Sequence, residues 1–163
     1  MSEPGGRASR QVQSEPAQDR PVVLLLHGPN LNLLGDREPD IYGHETLADH
    51  VATTRAAAEA VGLALEDLQS NAEVDLVEAV QGARRRCAAI IVNAGALTHY
   101  GWSLHDALAT YEGVVVEVHL SNPNAREPWR NTSVVAPVAT GSITGFKGHG
   151  YVLAVEAVRR LIP

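Results

Sequence analysis

The chain has 163 residues, 45% of them apolar, and a formal net charge of −6, which suits one domain with a real hydrophobic core. It carries no basic stripe of the kind nucleic-acid binding needs, and no apolar run approaches the roughly 20 residues of a membrane span. Cys87 stands alone, so the sequence encodes neither a disulfide framework nor a cysteine metal cluster, and a reducing cytoplasm is the simplest compartment.

Residues 1–20 are polar and rich in Pro, Gly, Ser and Gln. They lack the apolar core of a signal peptide, and their composition predicts a disordered tail. A single domain is expected over 21–163. Val22–Leu26 is a continuous apolar run, as in a strand covered on both faces. An alanine-rich helix is expected from Thr46 to Ala60, stopped at Gly62. Leu63–Leu68 reads as a second strand. Glu73–Arg86 reads as a helix with acids first and arginines last, an order that suits the helix dipole. Ala88–Val92 is a third strand, Gly101–Thr110 a short helix and Val114–Val118 a fourth strand. Val134–Val138 is read as a fifth, shorter strand, and Gly148–Leu161 as the closing helix.

This alternation defines an α/β fold, a parallel sheet with helices on both faces. Five strands favour a flavodoxin-like three-layer sandwich with strand order 2-1-3-4-5. Ligands of such folds sit outside the carboxyl ends of the strands. The chemistry-bearing residues gather there: HGPNLNLLGDREPDIYGHET after the first strand, QSNAE after the second, NAGALTHYGWSLHDAL after the third and EVHLSNPNAREPWRNTS at the fourth.

Taken singly, these residues have bland readings. His119 could be a core histidine, Asn30 and Asn93 turn residues, and Arg126 and Arg130 solvated charges. Trp102 and Trp129 read as packing residues. His99 and His105 miss the i, i+4 spacing of a helical metal pair, and no metal site or cofactor is expected. The long stretch Gly28–Gly43 is harder to dismiss. It lacks an apolar period, and long loops in compact domains tend to be lids or binding loops. It brings Arg37 and Tyr42 together. A phenol is a poor base at its usual pKa of roughly 10, and a neighbouring guanidinium favours the phenolate. The glycine-rich GSITGFKGHG does not fit a phosphate loop, and no G-x-S-x-G elbow exists.

GPNLNLLGxREPxIYG, QSNxE, NAGALTHY, EVHLSN, ARExxR and ATGxIxGxxxxGYxLA occur in order between Val22 and Leu161. Together they resemble the motifs of the type II 3-dehydroquinate dehydratases. The resemblance implies a hydro-lyase that converts 3-dehydroquinate reversibly to 3-dehydroshikimate, in the shikimate or quinate pathway, by anti elimination through an enolate. Residues 21–163 would then be one catalytic domain. Tyr42 would be the base, and Arg37 would hold it ionised. His119 would be the general acid, oriented by Glu117 as a triad carboxylate orients its histidine. Asn30 would hold a water against the enolate oxygen. The backbone N–H groups of Leu120 and Ser121 would meet the substrate carboxylate, and Asn93, His99 and Arg130 its ring hydroxyls. Asp106 would reach a neighbouring subunit's site in a dodecamer built from trimers. The lysine-dependent type I enzymes occupy barrels of about 250 residues, longer than this chain. The alternatives are a non-catalytic quinate or sugar-acid binding paralogue and a flavodoxin-like cofactor binder. His27, Ala72, His105 and Val134 depart from the usual family pattern.

Overall fold

The computed structural model describes residues 20–36 and 38–163. Five parallel strands form one sheet: β1 (Val22–His27), β2 (Ala64–Gln69), β3 (Ala89–Asn93), β4 (Val114–His119) and β5 (Gly141–Thr144). Their order is β2-β1-β3-β4-β5, as the alternation of elements predicts. The central strands β1 and β3 are apolar and buried almost throughout, because helices cover both faces of the sheet.

Successive side chains of a strand point to opposite faces, and this divides the core in two. Val23, Leu25, Ala89, Ile91, Val116 and Val118 pack beneath helices α2 (Leu47–Ala60) and α5 (His149–Leu161). Leu24, Leu26, Ile90, Val92 and Val115 pack beneath α3 (Glu73–Ala83) and α4 (Trp102–Ala109). Helix α2 starts in a capping box. Thr46 Oγ1 accepts the Asp49 N–H at 3.2 Å, and Asp49 Oδ2 accepts the Thr46 N–H at 2.8 Å, so two otherwise orphaned donors are satisfied. Glu73 Oε1 accepts the Leu104 N–H at 3.0 Å, tying the start of α3 to the start of α4.

Two sequence expectations are corrected. Val134–Val138 is not a strand, and the fifth strand is Gly141–Thr144, on the edge beside β4. The donors of the apolar segment are committed elsewhere. Val134 N–H bonds Thr98 O, Ser133 Oγ accepts the N–H groups of Val135 and Ala136, and Pro137 has none to give. The segment turns as a 3-10 helix over Ala136–Val138, whereas the polar Gly141–Thr144 pairs with Val116–His119. Gly28–Gly43 is not structureless either. It contains a 3-10 turn, Leu31–Leu33, and the short helix α1 (Pro39–Tyr42), begun by Pro39 and ended at Gly43. The expected tail, apart from Arg20, and Arg37 lie outside the described residues. Among the described residues no helix is long and apolar enough to cross a membrane, and no group of His, Cys, Asp and Glu is placed to hold a metal ion.

Candidate active site

Parallel strands deliver their following loops to the same edge of the sheet, and the loops after β1, β3 and β4 enclose one cavity there. Asn30, Tyr42, Asn93, His99, His119 and Arg130 line it, together with Leu120, Ser121 and Arg126. The β1 and β3 loops touch closely enough to dictate glycine. A Cβ on Gly28 would lie 2.2 Å from Ala94 O, and Gly95, at φ +57, lies under Pro29 O. Gly28 N–H donates to Asn93 O at 2.8 Å, closing the gap.

Asn30 adopts the left-handed conformation at φ 68, which asparagine tolerates better than most residues. Its N–H donates to Asn71 Oδ1 at 2.9 Å, and Gln69 Nε2 donates to the same oxygen at 3.1 Å. The QSN stretch after β2 therefore braces the Asn30 turn. Asn93 is buried at the end of β3 and donates from Nδ2 to Tyr151 Oη at 2.9 Å. His99 Nδ1 contacts Thr132 O at 2.7 Å. A carbonyl only accepts, so Nδ1 bears the hydrogen and Nε2 is left to the cavity. Arg130 Nε donates to Glu127 Oε2 at 2.7 Å, and its guanidinium lies 4.1 Å from the Trp129 ring centroid.

Tyr42 sits at the carboxyl end of α1. Arg126 Nη1 donates to its Oη at 2.5 Å, and the guanidinium lies 5.4 Å from the ring centroid. A hydrogen bond from a charged donor is stronger than one between neutral groups. Arg126 was missed as a site residue. Its motif is visible in the sequence, but no local feature separates it from a surface charge. Its side chain is only 12% exposed, and its partner lies in a loop joined to it only through the sheet. Trp102 and Trp129, expected to pack, are both exposed.

Across the cavity edge, β4 places Glu117 and His119 on the same face of the strand. His119 Nε2 lies 2.9 Å from Glu117 Oε1, which leaves Nδ1 as the other ring nitrogen available for chemistry. Glu117 is 1% exposed. Burial acts to raise its pKa. The bond and charge of His119, with the hydroxyls of Thr98 and Ser133, outweigh burial and bring it down from 4.5 to about 2. Glu117 is therefore a buried carboxylate that stays ionised. Among the described site residues expected from the sequence, Asp106 alone lies apart from this cluster. It is exposed on α4 and faces a shallow cleft with Val77, Gln81 and Arg84 rather than this cavity.

The fold and the cavity together define a doubly wound α/β protein whose sheet carries, at its carboxyl end, a phenol bonded by a guanidinium and an imidazole bonded by a carboxylate. A family model for dehydroquinase class II matches residues 21–159. A 3-dehydroquinate dehydratase of Roseiflexus castenholzii is 52% identical over 134 residues, 82% of this chain and 85% of that protein. A catabolic 3-dehydroquinase of Aspergillus clavatus is 48% identical over 136 residues, 83% of this chain and 91% of that one. The crystal structure of a type II dehydroquinase from Propionibacterium acnes superposes with a TM-score of 0.83 at 36% identity, covering 85% of this chain and 96% of its own. The chain belongs to the class II dehydroquinase family.

Proposed function

We propose that the protein catalyses the reversible dehydration of 3-dehydroquinate to 3-dehydroshikimate, as a hydro-lyase of the shikimate or quinate pathway. The observation that carries this reading is the pairing, around one cavity, of Tyr42 under Arg126 with His119 on Glu117. A binding paralogue without turnover has no need of that pairing.

In this reading Tyr42, as phenolate, takes the proton from the carbon next to the ketone. Arg126 stabilises the charge on its oxygen, and Arg37 is proposed as a second cation for the same purpose. The electrons move to the ketone oxygen, where a water held by Asn30 meets the developing enolate. The enolate collapses, the carbon–oxygen bond breaks, and His119 protonates the departing hydroxyl from Nδ1, so that water leaves. Ionised Glu117 stabilises the positive charge His119 carries until then and fixes the ring. Leu120 and Ser121 offer backbone N–H groups to the substrate carboxylate. Asn93, His99 and Arg130 bind the ring hydroxyls. No step requires a cofactor.

The active form is proposed to be a dodecamer built from trimers, in which Asp106 reaches a neighbour's cavity. Its exposure on α4, away from the cavity of its own chain, supports that role. A reducing cytoplasm is the proposed compartment, in keeping with a single buried thiol at Cys87. Residues 21–163 are proposed to form one catalytic domain, with residues 1–20 as a disordered tail. The test of function is the rise in ultraviolet absorbance as the conjugated enone forms from 3-dehydroquinate. Folded protein that gives no such signal at neutral pH overturns the reading.

A further inference from the structure

Glu117 is held in an unusual way for a buried carboxylate. Among the described residues its one ion pair is with His119, and its other partners are neutral hydroxyls. Thr98 Oγ1 donates to Oε1, and Ser133 Oγ donates to the same oxygen at 2.8 Å. Ser142 Oγ donates to Oε2 at 3.0 Å. These hydroxyls come from the β3 loop, the segment before the Ala136–Val138 turn and the edge strand β5, so three separate parts of the chain converge on one side chain.

The chemistry of this arrangement differs from that of a salt bridge. An arginine in the same place would satisfy the lone pairs but would also neutralise the charge that His119 needs. Hydroxyl donors satisfy the lone pairs, offset the cost of burial, and leave the net charge to the imidazole. Their geometry is also fixed. Ser133 Oγ accepts the N–H groups of Val135 at 3.1 Å and Ala136 at 2.9 Å, which leaves its own proton to Glu117 Oε1 at 2.8 Å, with Thr98 Oγ1 3.0 Å away. Thr98 is buried, and its carbonyl accepts the Val134 N–H at 2.7 Å, which holds the two hydroxyl-bearing segments together.

We propose that Thr98, Ser133 and Ser142 are positioning residues of the dehydration, whose hydroxyls lock the Glu117 carboxylate so that it presents one oxygen to His119 and keeps the general acid aimed at the leaving hydroxyl. Ser133 is the keystone, since it alone is oriented by two backbone donors. The role rests on the dehydratase reading above, and it acts through Glu117 rather than on substrate.

The experiment is steady-state kinetics on the full chain, with the wild type measured first, then Ser133→Ala, Ser133→Thr, Thr98→Val, Ser142→Ala, Glu117→Gln and the double variant Ser133→Ala/Glu117→Gln. Losing a hydrogen bond to a charged group is expected to lower kcat of Ser133→Ala roughly tenfold to a hundredfold, with KM within about twofold. Ser133→Thr, which keeps the hydroxyl, recovers most of kcat. In the Glu117→Gln background the serine change has little further effect, because groups acting through one another are not additive. Wild-type kcat in Ser133→Ala and Thr98→Val overturns the proposal. So does a loss that multiplies in full with that of Glu117→Gln, or a rise in KM alone, which would mean that Ser133 only clamps the segment carrying Arg130. Circular dichroism checks folding. If Ser133→Ala does not fold, Thr98→Val and Ser142→Ala decide the matter by the same criteria in their own double variants with Glu117→Gln. An inactive wild type overturns the dehydratase reading itself, whereas an active wild type with unaffected variants overturns only the positioning role.

Discussion

Tyr42 and Arg126 are the residues on which the proposed chemistry turns, and each can be tested by removing one group. Tyr42→Phe deletes only the hydroxyl. A general base contributes about 10²–10⁴-fold, so turnover is expected to fall by that order. Binding of a non-reactive substrate analogue, measured by calorimetry, should change little. Retained turnover would place the base elsewhere. Arg126→Met keeps length and removes charge. It is expected to lower kcat roughly tenfold to a hundredfold, the scale of a hydrogen bond to a charged group. Arg126→Lys should recover only part, because an ammonium lacks the planar fork of the guanidinium. An unchanged kcat in Arg126→Met would show that the bond to Tyr42 Oη is incidental. At this scale the sequence was only half legible. Tyr42, His119 and Glu117 stand in motifs that announce them. Arg126 and Thr98 also lie in motifs, but nothing local marks their roles or those of Ser133 and Ser142, because their importance is a contact with a residue far along the chain.

Elements were legible where the pattern is local. The apolar run of β1 and the acids at the start of α3 mark themselves by period and charge order. The Thr46–Asp49 capping box, found in the structure, fixes the start of α2, and Thr46→Ala should cost about 1 kcal/mol of stability in a denaturant titration. The fifth strand was not legible, because Val134–Val138 is more strand-like in composition than Gly141–Thr144. An edge strand is chosen by which backbone donors remain free to pair, and Ser133 and Thr98 had already taken those of the apolar segment. The junction of the β1 and β3 loops is a second non-local feature. In Gly28→Ala the new methyl meets the Ala94 carbonyl at 2.2 Å. Because the obstacle is backbone, the loops must part. A lower melting temperature together with lost activity is expected; a wild-type melting curve would contradict the close approach.

For the molecule as a whole, three buried groups make stability depend on pH. Burial, and after it the charge of His50, lower the pKa of His27 from 6.5 to about 3, and neither of its ring nitrogens has a protein partner among the described residues. The fold thus holds His27 neutral. Its contribution is fully present above pH 6.5 and is lost as pH falls toward 3, because the unfolded chain binds the proton first. Glu117, lowered from 4.5 to about 2, contributes fully above pH 4.5 and is lost as pH falls through 2. His50, which also lies low because it is buried, adds to the first window. His27→Asn is therefore expected to flatten the fall in melting temperature between pH 6.5 and 4.5 and to leave the steeper loss below 4.5. An unchanged profile would show that His27 is not the group responsible. The proposed assembly is testable at the same scale. Native mass measurement should give a dodecamer, and Asp106→Ala should lower turnover while Tyr42 and His119 remain intact.

The sequence by itself determined the class of fold and the strand order, and its motifs, by their resemblance to the type II dehydratases, pointed to the acid and base candidates, because hydrophobic period and contiguous motifs are properties of neighbouring residues. Tertiary structure alone decided which arginine meets Tyr42 among the described residues, which strand closes the sheet and how Glu117 is held. The physical reason is common to all three. A parallel sheet carries loops that are distant in the chain to one edge, and the partners found there are selected by geometry, burial and the donors left unpaired, none of which a local stretch of sequence contains.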